Sequence, residues 1–128
     1  MAYWHGGLHK RKDTGGKRHP LRKRRKDERG GFPTETRLGE VKAVEVRTLG
    51  GNVKRRLLRC KYANVSDTET RKTQRLEVLR VVKNPANVDL DRRGVITKGA
   101  IIETALGQAR VTSKPGKNGV VNAVLLKT

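Results

Sequence analysis

The chain has 128 residues, enough for one hydrophobic core with extensions and too few for two independent cores. Its 31 Lys and Arg against 12 Asp and Glu give a formal net charge of +19, a self-repulsion that a polyanionic partner relieves. No apolar run approaches the roughly 20 residues of a spanning helix and no basic amphipathic helix is evident, so nucleic acid is expected as partner rather than membrane.

The first residues, MAYWHGGLHKRK, carry positive charge with no apolar stretch after it. They do not read as a secretory signal, and a cytoplasmic protein is expected. Residues 1–40 contain neither Val nor Ile and cannot bury a core of their own. Residues 1–31 hold eleven Lys and Arg against three Asp and Glu, a net +8. Such a composition stays extended or disordered until a partner supplies the missing interactions. Residues 1–37 are therefore assigned to a basic, extended arm and residues 38–128 to a folded domain. At roughly 3.3 Å per residue, an extended arm of thirty residues spans on the order of 100 Å.

From residue 41 the texture changes to short β-branched runs between turn signals. Residues 41–48 place Val44, Val46 and Thr48 at alternate positions with Glu45 and Arg47 between them, the pattern of a half-buried strand. Leu49-Gly50-Gly51-Asn52 supplies glycines for a turn, after which residues 53–63 should pair back antiparallel. Residues 71–83 carry Leu76, Val78 and Val82 with a period of two and stop at Asn84-Pro85, which predicts a strand. A helix is the competing reading there, because Ser66-Asp67-Thr68-Glu69 fits a capping box and Leu76, Leu79 and Lys83 recur at helical spacing.

Residues 87–93 suit one helical turn or a loop. Residues 94–96, 100–104 and 107–113 are short strand candidates, with Leu106-Gly107 as a tight turn between the last two. Lys117-Asn118-Gly119 is the clearest hairpin signal, an Asn-Gly pair suited to a type I′ turn, and residues 120–126 supply the returning strand. Five to seven such strands predict an all-β, mainly antiparallel fold: a small β-barrel carrying a long basic N-terminal arm.

Enzymatic chemistry finds no support. There is no Gly-rich phosphate loop ending in Lys-Ser or Lys-Thr, no Ser-centred nucleophile elbow and no carboxylate pair with an evident role. The single cysteine, Cys60, has no nominated base beside it and reads as a core-facing strand residue. His5 and His9 would meet on a helix, but Gly6-Gly7 lies between them and argues against that helix and against a metal site. No cofactor and no small-molecule substrate are expected.

Lys and Arg do have a function to serve, since each one set against a phosphate releases condensed counterions. In the arm the candidates are Lys10, Arg11 and Lys12, then Lys17 and Arg18, then Arg22, Lys23, Arg24, Arg25, Lys26 and Arg29. His5, His9 and His19 join them as phosphate- or base-contacting groups. Tyr3 and Trp4 either stack on exposed bases or pack against the barrel. In the domain, Arg47, Lys54, Arg55, Arg56, Arg71 and Lys72 lie near strand ends, where they extend a phosphate-binding surface or are solvated charges on a sheet face.

Several runs resemble a known family. These are Thr14-Gly15-Gly16-Lys17-Arg18-His19-Pro20-Leu21-Arg22-Lys23-Arg24-Arg25-Lys26, Gly50-Gly51-Asn52-Val53-Lys54 with Leu57-Leu58-Arg59, and Thr70-Arg71-Lys72-Thr73. Val82-Lys83-Asn84-Pro85-Ala86-Asn87 and Ile96-Thr97-Lys98-Gly99-Ala100-Ile101-Ile102-Glu103-Thr104 continue the match. Together they are similar to the archaeal and eukaryotic small-subunit ribosomal protein family numbered eight with the suffix e. The resemblance implies a β-barrel protein that binds small-subunit ribosomal RNA, lies among neighbouring small-subunit proteins and needs no cofactor. Without the long insertion of eukaryotic members, the chain looks archaeal. One departure is that Lys26-Asp27-Glu28-Arg29-Gly30 lacks the aromatic residue of eukaryotic members, which weighs against base stacking there and leaves the phosphate role. Composition and periodicity alone lead only to a basic β-domain that binds nucleic acid, and a free RNA-binding translation or RNA-processing factor fits the same residues.

Overall fold

A computed structural model describes residues 3, 4 and 6–126, and the chain divides into two compact units, Met1–Pro33 and Thr34–Thr128. The expected boundary fell after residue 37. Residues 34–37 lie in the second unit, where buried Thr36 donates its hydroxyl to the Leu57 carbonyl at 2.6 Å and its own carbonyl accepts the Ile96 N–H at 2.8 Å.

The first unit has little regular structure. Strand β1 (Tyr3–Trp4) pairs antiparallel with β2 (Arg29–Gly30), so Tyr3 opposes Gly30 and Trp4 opposes Arg29. Between them the chain folds back at Lys12, whose N–H bonds the Gly16 carbonyl at 3.0 Å, and Gly15 takes a left-handed φ of 81° in that turn. A single 3₁₀ turn, Lys26–Glu28, precedes β2.

In the second unit, β3 (Arg37–Leu38), β4 (Lys42–Arg47) and β5 (Val53–Cys60) form a three-stranded sheet in the order β3-β5-β4. Gly50 and Gly51, at φ 73° and 76°, make the β4–β5 turn as their positions predict. The returning segment does not continue to residue 63 in one sheet. It breaks after Cys60 and resumes as β6 (Tyr62–Ser66) in a different sheet, with Leu57 and Cys60 of β5 packed in the same core cluster as Ala63 and Val65 of β6.

Next come β7 (Thr73–Lys83), the short helix α1 (Val88–Arg92), β8 (Ile101–Thr104), β9 (Gly107–Val111), the helical turn α2 (Pro115–Asn118) and β10 (Asn122–Leu125). Strands β10-β6-β7-β8-β9 close into a barrel, which meets the expected all-β fold. Closure is made by parallel pairing of β10 with β6, where the Asn64 side chain donates to Asn122 Oδ1 at 3.0 Å. A five-stranded barrel encloses little volume, so the innermost side chains are small: Ala63, Ala100, Ala109 and Ala123 are all buried, beside Val65, Val78, Ile102 and Val111.

Several local expectations change. The segment predicted over residues 71–83 is a strand and not a helix, and it begins at Thr73; the would-be capping box is a turn in which Asp67 accepts from the Glu69 N–H and the Thr70 hydroxyl. The period of two in β7 holds through Leu76 and Val78, but register shifts between Val78 and Arg80 and between Val81 and Lys83 turn Val81 inward and leave Val82 exposed. In β4, Val44 is exposed while Ala43 packs against the core, because the register also shifts between Lys42 and Ala43.

Residues 94–96 are not a strand. Ile96 makes one isolated bridge to Thr36, and buried Asn84 donates Nδ2 to the Val95 carbonyl at 2.7 Å. Lys117-Asn118-Gly119 is not a type I′ hairpin either, since Asn118 lacks the positive φ such a turn needs. Pro115 instead opens α2, and Gly119 ends it as a left-handed cap at φ 72° with its N–H on the Pro115 carbonyl. The strand that follows does return antiparallel to β9. Cys60 is buried in the core, where desolvation pushes its thiol up to about 11, as a packing residue rather than a nucleophile requires.

Candidate nucleic-acid interface

The first unit gathers a large share of the predicted residues. An open concavity of about 1150 Å³ is lined by Trp4, His9, Lys12, Arg18, His19, Arg22 and Arg24, among others, with Asp13 and Glu28 as the acids. Lys10, Arg11, Lys17, Lys23, Arg25, Lys26 and Arg29 are also exposed. His5 lies outside the described residues.

The local order of this unit comes from a few polar contacts. Arg11 donates to the Gly15 carbonyl at 3.0 Å. Glu28 accepts the Arg25 N–H at 3.2 Å and pairs with the Arg22 guanidinium at 2.7 Å. The Arg25 backbone bond first, and Arg22 after it, hold the Glu28 carboxyl below its usual range. Among the described residues this is the one ion pair of the unit, so most of its cations remain without a protein carboxylate. The aromatic groups have contacts inside the unit: the Arg24 guanidinium lies 5.6 Å from the centre of the Trp4 ring, and Tyr3 stands 6.2 Å from Phe32.

In the barrel unit, Arg47, Lys54 and Arg55 are exposed and Arg56 half-buried, all on the β4–β5 hairpin. Only Glu45, opposite Arg55, offsets them in register. Arg71 and Lys72 are exposed in the β6–β7 turn, and Arg71 takes φ 53° there. Alternation places charges on both faces of the hairpin, so these six do not form one patch.

Other cations were not singled out in the sequence. Arg75 lies 4.5 Å and Lys61 5.8 Å from the Tyr62 ring, and Lys61 pairs with Glu77 at 3.3 Å, which raises its pKa. Arg37, Lys42 and Arg59 meet around a shallow depression with Glu35 and Leu58. In sequence each of these three reads as an isolated strand charge; only sheet register brings them together.

Among the described residues no group of three or more His, Cys, Asp or Glu is placed to hold a metal, and no helix is long and apolar enough to cross a membrane. Fold and charge together define a small, strongly basic β-barrel protein with a cation-dense N-terminal unit. The sequence model of the ribosomal protein S8e family matches residues 5–126. Relatives named small ribosomal subunit protein eS8 include that of Hyperthermus butylicus, 50% identical over 99% of this chain and 94% of its own length. That of Nanoarchaeum equitans is 47% identical over 99% of this chain and 100% of its own length, and that of Methanocorpusculum labreanum 46% over 91% and 94%. The chain belongs to the ribosomal protein S8e family.

Proposed function

We propose that this chain is a structural constituent of the small ribosomal subunit in the cytoplasm, where it binds ribosomal RNA directly and catalyses no reaction. The arm neutralises phosphates through Lys10, Arg11, Lys12, Lys17, Arg18 and the run from Arg22 to Lys26, while the barrel fixes the protein among neighbouring small-subunit proteins. Trp4, already beneath Arg24, offers a ring on which an exposed base stacks. The observation that carries this reading is the family match over nearly the whole chain, joined to a first unit whose cations outnumber its acids and, among the described residues, have a single ion pair. Such a surface is stable in contact with a polyanion and self-repelling without one.

The test is sedimentation of tagged protein from lysate on a sucrose gradient, followed by a high-salt wash of the small-subunit fractions. Stoichiometric retention on the washed subunit is expected. Protein at the top of the gradient, or stripped by the wash, would make it a free RNA-binding factor instead.

A further inference from the structure

The three-stranded sheet of the barrel unit sets three exposed cations in one register row. Arg37 on β3 is the register partner of Arg59 on β5, and Arg59 is in turn the partner of Lys42 on β4. Residues directly opposite on paired strands project to the same face, and like charges there are destabilising. Neighbouring strands lie about 4.8 Å apart, so three positive side chains stand in one row roughly 10 Å long.

Glu35 is the acid of this depression, and its charge is already engaged. Its two oxygens accept from Arg93 Nη1 at 2.6 and 2.8 Å, and one also accepts from Arg37 at 3.3 Å. The guanidinium of Arg93 first, then that of Arg37, holds the Glu35 carboxyl below its usual range. Counting Arg93 and Glu35 as a neutral pair, the row keeps its three positive charges. Leu58 is the apolar residue that lines the depression.

We propose that Arg37, Arg59 and Lys42 form a phosphodiester-binding row on the barrel, separate in sequence from the arm and additional to it. Two guanidinium forks flanking one another match the bidentate geometry of phosphate oxygens, and Lys42 supplies a point charge beside them. The anion removes the repulsion that the register imposes. An acidic protein segment is the competing occupant; a phosphodiester chain is favoured because consecutive phosphates along a strand present charge repeatedly across the row.

This inference rests on the RNA-binding reading above, and the experiment separates the two. Affinity of the full chain for a small-subunit ribosomal RNA transcript is measured over a range of salt concentrations. The parent is compared with R37Q/K42Q/R59Q and with K83Q/R92Q/K114Q, a control that removes the same charge from exposed positions elsewhere. Three lost phosphate contacts reduce the slope of log K against log salt by roughly 2 to 3 and affinity by about tenfold or more. K42Q alone, which removes no bond to the rest of the fold, reduces the slope by roughly 1. The RNA-free K42Q/R59Q variant, which keeps the Arg37–Glu35 pair, should melt at or above the parental temperature, because repulsion has been relieved.

If both triple variants lose slope equally, the row is only part of the net charge and the proposal fails. Parental RNA slope together with lost binding to polyglutamate reassigns the row to an acidic protein segment. A lowered melting temperature without RNA makes the row part of the fold and overturns the site. Failure of the parent to bind the transcript at all removes the RNA-binding reading itself.

Discussion

Replacing Asn84 with Ala isolates a buried polar junction that joins the end of β7 to the segment entering β8. The Asn84 side chain is 3% exposed and makes three bonds: Nδ2 donates to the Val95 carbonyl at 2.7 Å, and Oδ1 accepts the Ala86 N–H at 3.1 Å and the Thr97 hydroxyl at 3.0 Å. Ala86 is exposed and Thr97 half-buried, so water replaces those partners at a net loss of about 1 kcal/mol each or less. Val95 is buried, and its orphaned carbonyl costs about 1–3 kcal/mol. The expected destabilisation is therefore about 2–4 kcal/mol, or a fall in Tm of roughly 10–25 °C for a domain near 100 residues. Thermal unfolding of the full chain followed by far-ultraviolet circular dichroism measures it.

N84D sharpens the test. It keeps the acceptor but sets a carboxylate oxygen against the Val95 carbonyl, with Asp91 also close through its bond to the Asn84 N–H at 2.7 Å. Its folded pKa should be raised, so the variant's deficit relative to the parent grows as pH rises through that value and shrinks in acid, where a protonated carboxyl can donate. A loss below about 1 kcal/mol in N84A, the size of a single ordinary hydrogen bond, would refute the assignment of this junction. So would a pH-independent deficit in N84D.

Gly119→Ala should cost about 1–3 kcal/mol, since the residue sits at φ 72° and a Cβ there would meet the Arg55 carbonyl oxygen at 3.2 Å. A chemical-denaturation midpoint equal to the parent's would show that the cap and the β5 backbone yield easily. For Glu35, the folded pKa lies below the unfolded one, so its ion pairs contribute fully above the ordinary glutamate value near 4.3 and are lost as pH falls through the folded value. Glu35→Gln should therefore lower Tm at pH 7, by a deficit that shrinks as pH falls below the ordinary glutamate range; a deficit that does not shrink would assign the effect to packing.

Sequence alone determined the class of fold, the strand–turn rhythm and the charge. These are local or additive properties: β-branched alternation, glycines at positions 50 and 51 that accept left-handed backbone, and a cation excess that no arrangement of side chains alters. It also identified Cys60 as a core residue, because an unpaired cysteine in a strand behaves as a small apolar group. Tertiary structure decided what depends on partners far apart in the chain. The register shifts in β7 invert the faces of Val81 and Val82, and the helical turn that Gly119 closes is seated against the Arg55 backbone of β5. Residues 53–66 divide between two sheets while Leu57, Cys60, Ala63 and Val65 share one core cluster, an arrangement that long-range strand pairing alone decides. Arg37, Lys42 and Arg59 become neighbours only through strand register, which is set by hydrogen bonds between segments whose own sequences carry no trace of each other.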